Sequence, residues 1–280
     1  MKLSDKFDHF LIDLDGVVYI GNKPISGSIK TLLILKDLGK NLIFLTNDPR
    51  SSVKDYSEKL NKFGLPAKPQ DIITSSMSIA YYIKSKHKDV NHKKAYVVGS
   101  KALKDEIKRI GLELVAGKRA ESADFVIIGG HPGFRYEEIK ISSFAIRNGA
   151  YFYATSRDPY IPTEEGLVPA TGAVLASIEV ASGQKAIIGG KPEKIIFEVA
   201  IKKRQLHPNK RIAVVGDRLD SDIIGGKRAG VKTILVLSGS TKERDLYTGD
   251  VIPDYVINDL TGLLSEIDTG WNRKIRGTLP

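Results

Sequence analysis

Short apolar runs alternate along this sequence with longer segments of helical periodicity. Residues 9–14, 41–45 and 211–216 are such runs, rich in Ile, Val, Leu and Phe and too short for an ordinary helix. The other runs of this kind are residues 95–99, 124–128, 150–154 and 233–237. Because parallel strands need a crossover connection, usually a helix, the alternation predicts an α/β fold with a parallel sheet.

Capping residues and glycines mark the helical segments. Ser52 and Ser100 are expected to begin two helices, and Gly39, Gly64 and Gly111 to follow the ends of three. The other predicted helices cover residues 74–84, 136–148, 171–182 and 192–204, with one more starting near residue 221. Residues 85–94 and 182–185 have the composition of linkers, which predicts that the middle of the chain is an inserted domain.

The sequence contains no cysteine, which excludes a disulfide scaffold, a thiolate nucleophile and a cysteine-based metal site. The first ten residues are charged and lack the apolar segment of a secretory signal. No apolar run approaches the ~18 residues of a membrane span. We therefore expect a cytoplasmic protein with no membrane partner.

The formal net charge is +10, which raises the question of nucleic-acid binding. The lysines are scattered among Asp and Glu, as on a solvated surface. The densest basic segments, residues 84–94 and 202–211, lack the interleaved aromatic residues that stack on bases. We expect no nucleic-acid partner; a salt-sensitive shift of a random duplex would favour that alternative instead.

Two carboxylates, Asp13 and Asp15, lie at the end of the first apolar run, and Gly16 comes directly after them. Side chains of a strand alternate between faces, so both carboxylates can point to the same side. Like charges at that spacing are costly unless a cation or a shared proton relieves the repulsion. Gly16 lets the chain turn and the backbone approach a ligand. A solvated strand end is the alternative, but this motif after a strand favours a functional site.

Groups suited to an anion occur in two further segments. Thr46 and Asn47 follow the second run, where a hydroxyl, an amide and backbone N–H groups can bind phosphate oxygens, although such residues also form ordinary turns. Lys191 lies in a Gly-rich turn before Pro192, which suits the first turn of a helix. Its ammonium can neutralise anionic oxygens; a surface lysine is the alternative.

Asp217 and Asp222 follow the strand of residues 211–216. Carboxylates there are hard oxygen ligands suited to Mg²⁺, whereas helix capping is an alternative role for Asp222. Ligands of open α/β sheets bind beyond the carboxyl ends of the strands. The groups expected to meet there, with a cation, are Asp13, Asp15, Thr46, Lys191 and Asp217.

The ordered motifs DxDG, TN, GKP and GDxxxxD resemble the haloacid dehalogenase-like (HAD) phosphohydrolase superfamily. Residues 11–19, 44–52, 166–173 and 189–197 are most similar to its NagD / p-nitrophenylphosphatase branch, which includes phosphoglycolate and pyridoxal phosphate phosphatases. The resemblance implies a Rossmann-like, doubly wound parallel sheet in a core of residues 1–88 and 186–280. It also implies an inserted, smaller α/β cap of the C2 type over residues 89–185.

The resemblance also implies roles for individual residues. Asp13 would be the nucleophile, forming a phosphoaspartate, and Asp15 the general acid and base. Mg²⁺ would be bound by Asp13, Asp217 and the backbone carbonyl of Asp15, with Asp222 in the outer shell. The remaining roles concern the phosphoryl group: Thr46 and Asn47 would bind phosphate, and Lys191 would stabilise the charged intermediate.

Two segments depart from the pattern of the branch. Asp48 replaces an amide after Asn47, and the basic residue that follows is displaced to Arg50. Ser156 replaces a frequent Asn in the predicted cap. Asp158, Pro162 and the loop of residues 166–172 are candidates for substrate selection in a cap that closes over the site. Members of the family often dimerise through the cap, so a homodimer is an expectation as well.

The implied function is a Mg²⁺-dependent phosphatase of small phosphomonoesters, such as p-nitrophenyl phosphate, sugar, glycerol or glycolate phosphates or nucleoside monophosphates. Phosphomutase chemistry on the same scaffold is an alternative, since a mutase keeps both acids of the first motif. A dehalogenase needs no second acid, so Asp15 argues against it. A non-catalytic phosphometabolite-binding protein is the remaining alternative, although every expected catalytic side chain is present.

Overall fold

The computed structural model describes residues 1–163, 166–206, 211–247 and 251–266. Within these ranges the strands are β1 (His9–Asp13), β2 (Tyr19–Ile20), β3 (Lys23–Pro24), β4 (Asn41–Thr46), β5 (Ile72–Thr74), β6 (Lys94–Gly99), β7 (Glu113–Leu114), β8 (Phe125–Gly130), β9 (Tyr151–Ala154), β10 (Tyr160–Thr163), β11 (Gly166–Pro169), β12 (Ile187–Ile188), β13 (Ile212–Gly216), β14 (Lys232–Val236) and β15 (Tyr255–Ile257). The α-helices are α1 (Ser28–Asp37), α2 (Val53–Lys62), α3 (Ser75–Lys86), α4 (Lys101–Arg109), α5 (Tyr136–Arg147), α6 (Thr171–Ser182), α7 (Lys194–Lys203) and α8 (Ile224–Arg228). Among the described residues, no helix combines the length and apolarity that crossing a membrane requires.

The chain divides into two compact units. The first unit comprises Met1–Thr46, Lys54–Ile73 and Ala200–Pro280, and its sheet has the strand order β15-β14-β13-β1-β4-β5. The pairs β1–β4, β1–β13, β13–β14 and β14–β15 are parallel. Chain order therefore runs outward in both directions from β1, which places a topological switch point beside this strand.

Strand β1 lies at the centre of this sheet and is buried along its whole length. Phe10, Leu11 and Ile12 have no exposed surface, as expected for a parallel strand that is covered on both faces. Ile12 pairs with Val215 of β13, and Asp13 pairs with Leu45 of β4. The carboxyl ends of these three strands are therefore level at one edge of the sheet.

The second unit comprises Asn47–Val53 and Thr74–Val199. Its sheet has the order β12-β9-β8-β6-β7, and all its strand pairs are parallel. Alternate residues of β8 enter two apolar clusters: Ile127 packs with residues of α3 and α4, and Ile128 with residues of α5 and α6. This sheet is therefore also covered on both faces.

The predicted α/β fold with parallel sheets is confirmed. Two predicted helix starts can be traced to side chains: the hydroxyls of Thr74 and Ser100 accept the backbone N–H groups of Met77 and Leu103. The predicted division into a core of residues 1–88 and 186–280 and a cap of residues 89–185 stays a prediction.

The buried carboxylate of Glu179 connects three segments of the second unit through hydrogen bonds. Glu179 of α6 is only 5% exposed, and both of its oxygens bond to the guanidinium of Arg157, at 2.6 and 2.9 Å. The Lys185 ammonium and the backbone N–H of Ala186 also donate to it, at 2.8 and 3.0 Å. Burial acts to raise the pKa of the Glu179 carboxyl, but these hydrogen bonds outweigh it and lower the pKa to about 2.

Replacing this carboxylate by an amide (Glu179→Gln) should lower the free energy of unfolding at pH 7 by about 1.5–3 kcal/mol, the range for hydrogen bonds to charged groups. The pKa of Glu179 is lowered on folding, so its stabilisation is complete above about 4.5, the usual pKa, and is lost as the pH falls toward 2. Urea unfolding at pH 7 and pH 3 should therefore show a smaller difference from the wild type at pH 3.

The matched control is Glu137→Gln on α5, where the exposed Glu137 pairs only loosely with Lys140 at 3.3 Å. It should change stability little at either pH. An equal effect of the two substitutions would contradict the role given to Glu179.

Candidate active site

Three carboxylates converge at the carboxyl edge of the first unit's sheet. Asp13 is the last residue of β1, and Asp217 directly follows β13. Asp13, Asp217 and Asp222 each offer an oxygen, and these oxygens all lie within 4.8 Å of one another. The side chains are 9%, 2% and 1% exposed. The sequence predicted Asp13 and Asp217 at one site with Asp222 in its outer shell, and the structure brings the three carboxylates together.

Asp222 reaches this edge through an irregular helical turn. A π-helical turn, Leu219–Ile223, leads from the end of β13 into α8. One Asp222 oxygen accepts the backbone N–H of Arg218 at 3.2 Å. The carboxylate therefore closes this turn and faces the other two acids at the same time, so the capping role and the site role are not exclusive.

A loop that the sequence analysis did not identify holds Asp217. The backbone N–H of Ser240 donates to Asp217 Oδ2 at 2.6 Å, and the Ser238 hydroxyl donates to the carbonyl of Gly16 at 2.8 Å. A Cβ at position 239 would lie 2.0 Å from Asp217 Oδ2, so only glycine fits there. A signal was available in the sequence, because this Ser-Gly-Ser segment follows β14, another parallel strand of the same sheet.

Asp15 and Thr46 lie at the ends of neighbouring strands but differ in exposure. Asp15 is exposed and lies outside the group of three close carboxylates. Thr46 is the last residue of β4 and is 3% exposed. The solvent-accessible Asp15 carboxyl can exchange protons with water, whereas the buried Thr46 hydroxyl is suited to a fixed hydrogen bond.

The second unit contains a polar cluster around Asn47. Asn47 Oδ1 accepts the backbone N–H of Lys191 at 2.8 Å. Asn47 Nδ2 donates to the carbonyl of Lys191 at 3.0 Å and to the carboxylate of Asp158 at 2.7 Å. Lys191 itself is 3% exposed. Lys191 is therefore a buried residue of a tight turn, and the alternative of a solvated surface lysine is wrong.

The departure at Asp48 has a local structural role. Asp48 forms a two-pronged ion pair with Arg50, with nitrogen–oxygen distances of 2.8 and 2.9 Å. Its Oδ1 also accepts the backbone N–H of Arg50. The displaced basic residue, Arg50, is thus held against Asp48, the acid that replaced the amide.

The candidates for substrate selection lie in the second unit. Pro162 lies in β10, and residues 166–172 form β11 and the start of α6.

The three carboxylates define the chemistry of the first unit's site. Buried carboxylates this close repel one another, and a hard divalent cation offsets that repulsion. Oxygen-only ligand sets favour Mg²⁺, Ca²⁺ or Mn²⁺ over softer metals. The donor set therefore fits the predicted Mg²⁺.

Two family models match this chain. Residues 10–113 match a haloacid dehalogenase-like hydrolase model, and residues 188–263 match a HAD-hydrolase-like model. The first match contains Asp13, Asp15 and the Thr46-Asn47 pair, and the second contains Lys191, Asp217 and Asp222.

Proteins of known name and structure are similar over nearly the whole chain. The 5'-nucleotidase YutF from Bacillus subtilis is 35% identical over 90% of this chain and 95% of its own length. A crystal structure of a glycerol phosphate phosphatase from Mycobacterium tuberculosis, in complex with magnesium, matches with a TM-score of 0.87 and 29% identity, over 95% of this chain and 78% of that one. NagD from E. coli K-12 matches with a TM-score of 0.83 and 32% identity, over 94% and 98% of the two chains.

The loop beside Asp217 can be tested by Gly239→Ala. The added methyl group would push the loop away from Asp217 and break the hydrogen bond from the Ser240 N–H. Groups that orient a metal ligand typically contribute ten- to a hundredfold in affinity, so we expect Mg²⁺ binding to weaken by about tenfold in a calorimetric titration.

Ser240→Ala is the matched control, because it removes an exposed hydroxyl and keeps the backbone N–H that bonds to Asp217. It should bind Mg²⁺ like the wild type. Unchanged Mg²⁺ affinity in Gly239→Ala would contradict the role of this loop.

Proposed function

The chain belongs to the haloacid dehalogenase-like hydrolase family, in its NagD-like branch, and is a Mg²⁺-dependent phosphoric monoester hydrolase; we propose that Asp13 is its nucleophile and that the reaction passes through a phosphoaspartate. The observation that carries this proposal is the position of Asp13. It ends the central strand of the sheet, with carboxylate oxygens of Asp217 and Asp222 within 4.8 Å.

The first half-reaction transfers the phosphoryl group to the protein. A carboxylate oxygen of Asp13 attacks phosphorus, and the bond between phosphorus and the ester oxygen breaks. Asp15 donates its proton to that oxygen, so the product leaves as an alcohol. General acid catalysis of this kind is typically worth ~10²–10⁴-fold. The covalent step divides one difficult displacement into two easier ones.

The second half-reaction hydrolyses the acyl phosphate. Asp15, now ionised, accepts a proton from a water molecule that attacks phosphorus. The bond between phosphorus and the Asp13 oxygen breaks, which restores the carboxylate and releases phosphate. The exposure of Asp15 supports this double role, because its proton can exchange with solvent.

Asp13, Asp217 and the backbone carbonyl of Asp15 would hold the Mg²⁺ ion. When bound, the ion supplies positive charge that offsets the repulsion between the nucleophile and the phosphate. Asp222 would lie in the outer shell, where one of its oxygens accepts the Arg218 N–H. The Ser240 N–H occupies Asp217 Oδ2 and thereby orients that carboxylate.

The phosphoryl group would be bound by Thr46, Asn47 and Lys191. Both N–H groups of the Asn47 side chain are engaged by Asp158 and by the Lys191 carbonyl. Asn47 would therefore bind phosphate through its backbone N–H and not through its amide. The Lys191 ammonium would stabilise the negative charge on the transferring group.

The substrates are small phosphorylated molecules. The nucleotidase and the glycerol phosphate phosphatase among the similar proteins support nucleoside monophosphates and glycerol phosphate as the compounds to test first. Asp158, Pro162 and residues 166–172 stay candidates for substrate selection. A homodimer formed through the cap, the absence of nucleic-acid and membrane partners and a cytoplasmic location stay predictions from the sequence.

Phosphate release should be lost on Asp13→Asn, because an amide is a far weaker nucleophile than a carboxylate. Release from p-nitrophenyl phosphate and a panel of metabolites, measured with Mg²⁺ and with chelator, checks this. The wild type should depend on Mg²⁺, and the variant should fall to the level of the chelator control. The ranking of kcat/KM across the panel then identifies the substrate class.

Asp37→Asn is the matched control, since Asp37 is exposed at the end of α1 in the same unit. It should keep wild-type activity. Residual activity of Asp13→Asn close to the wild-type level would exclude Asp13 as the nucleophile.

A further inference from the structure

The side-chain amide of Asn47 forms hydrogen bonds through its oxygen and through its NH₂ group. Its oxygen accepts from the N–H of Lys191, one N–H donates to the carbonyl of the same residue, and the other donates to Asp158. The amide therefore forms a two-point contact with the backbone of Lys191. This contact joins segments that are 144 residues apart in the sequence.

Asp158 adds a third contact that favours the same orientation of this amide as the Lys191 backbone does. A carboxylate only accepts hydrogen bonds, so it selects the orientation in which Nδ2 of Asn47 faces it. Rotation of the amide by 180° would place Oδ1 against the carboxylate and an N–H group against the N–H of Lys191. Both contacts of the rotated form are repulsive. The bond from Asn47 to Asp158 thus reinforces the orientation in which Asn47 makes both of its bonds to Lys191, and it holds the amide in place from a third side.

Hydrogen bonds to the backbone of Asp158 and to the residue before it fix the position of this segment. Its carbonyl accepts the N–H of Gly172 at 2.8 Å, at the start of α6. The residue before it, Arg157, is held by the buried Glu179. Glu179 also accepts the N–H of Ala186, directly before β12, the strand that leads into the turn of Lys191. One buried carboxylate therefore anchors the chain on both sides of the Asn47 contact.

We propose that Asp158 is a positioning residue for Lys191, acting through the amide of Asn47. This inference rests on the proposed function, in which Lys191 stabilises charge on the transferring phosphoryl group. It gives Asp158 a role that differs from substrate selection. A positioning residue changes the rate of the chemical step for every substrate, whereas a selectivity residue changes the ranking among substrates.

The test compares Asp158→Ala in two backgrounds, the wild type and Lys191→Ala, with p-nitrophenyl phosphate and two metabolites as substrates. In the wild-type background Asp158→Ala should lower kcat by about ten- to a hundredfold, the range for a misplaced catalytic group, with little change in KM. In the Lys191→Ala background it should cause no further loss. Asp158→Asn should retain most of the activity, because its side-chain oxygen can still accept from Asn47.

Hydrogen exchange supplies a readout that does not depend on activity. The backbone N–H of Lys191 donates to Asn47 Oδ1, so its exchange should accelerate in Asp158→Ala. Asp105→Ala, which removes an exposed acid paired with Lys101 in the same unit, is the control for loss of charge and should leave exchange and kcat unchanged. If Asp158→Ala proves unstable, Asn47→Ala, which removes the amide that links Asp158 to Lys191, provides the same comparison.

The outcomes separate this inference from the proposed function. If Lys191→Ala turns over like the wild type, the role of Lys191 in the proposed function is wrong. If Lys191→Ala is slow but Asp158→Ala has wild-type kcat and wild-type exchange at Lys191, only the positioning role is overturned. A change in substrate ranking that persists in the Lys191→Ala background would assign Asp158 to substrate selection instead.

Discussion

The repulsion among three buried carboxylates at the carboxyl edge of one sheet is the constraint on which this site depends. Two unit charges 4 Å apart repel by about 4 kcal/mol at an effective dielectric constant of 20. Strand register and a helical turn bring carboxylate oxygens of Asp13, Asp217 and Asp222 within 4.8 Å of one another. The folded chain therefore holds these charges together against their repulsion. A bound divalent cation turns the same arrangement into a favourable one, which links the fold to Mg²⁺ and to phosphoryl chemistry.

Backbone N–H groups next to the site donate hydrogen bonds to two of these carboxylates. Asp217 accepts the N–H of Ser240, and Asp222 accepts the N–H of Arg218. Such bonds stabilise the ionised carboxylate and fix its direction without adding a competing side chain. The second unit also contains hydrogen bonds between a side chain and the backbone, but there the side chain of Asn47 holds the backbone of Lys191. In both arrangements hydrogen bonds between a side chain and the main chain fix the position of a charged residue.

The sequence predicted the parts of this molecule that depend on local pattern. Apolar runs predicted seven of the eleven strands that the described residues form in the two parallel sheets, and capping residues predicted helix starts. Acids at the carboxyl ends of β1 and β13 predicted that carboxylates meet at this edge of the first unit's sheet. The loop of residues 238–240 was missed because its bond to Asp217 comes from a backbone N–H, and only its place after the parallel strand β14 pointed to the site. The link from Asn47 to Asp158 spans 111 residues, so only the folded chain shows it. The proximity of Asp222 depends on a π-helical turn, a geometry that residue spacing does not specify.

Direct observation of a phosphorylated Asp13 tests the central claim most sharply. p-Nitrophenyl phosphate needs little protonation of its leaving group, so Asp15→Asn should allow the first half-reaction while slowing the attack of water. We predict a burst of one p-nitrophenolate per protein molecule, followed by slow turnover. Borohydride should then reduce the phosphorylated Asp13 to homoserine. Mass spectrometry should locate this change at Asp13 and find Asp217 unmodified. Steady turnover without a burst, and an unmodified Asp13, would contradict the covalent mechanism.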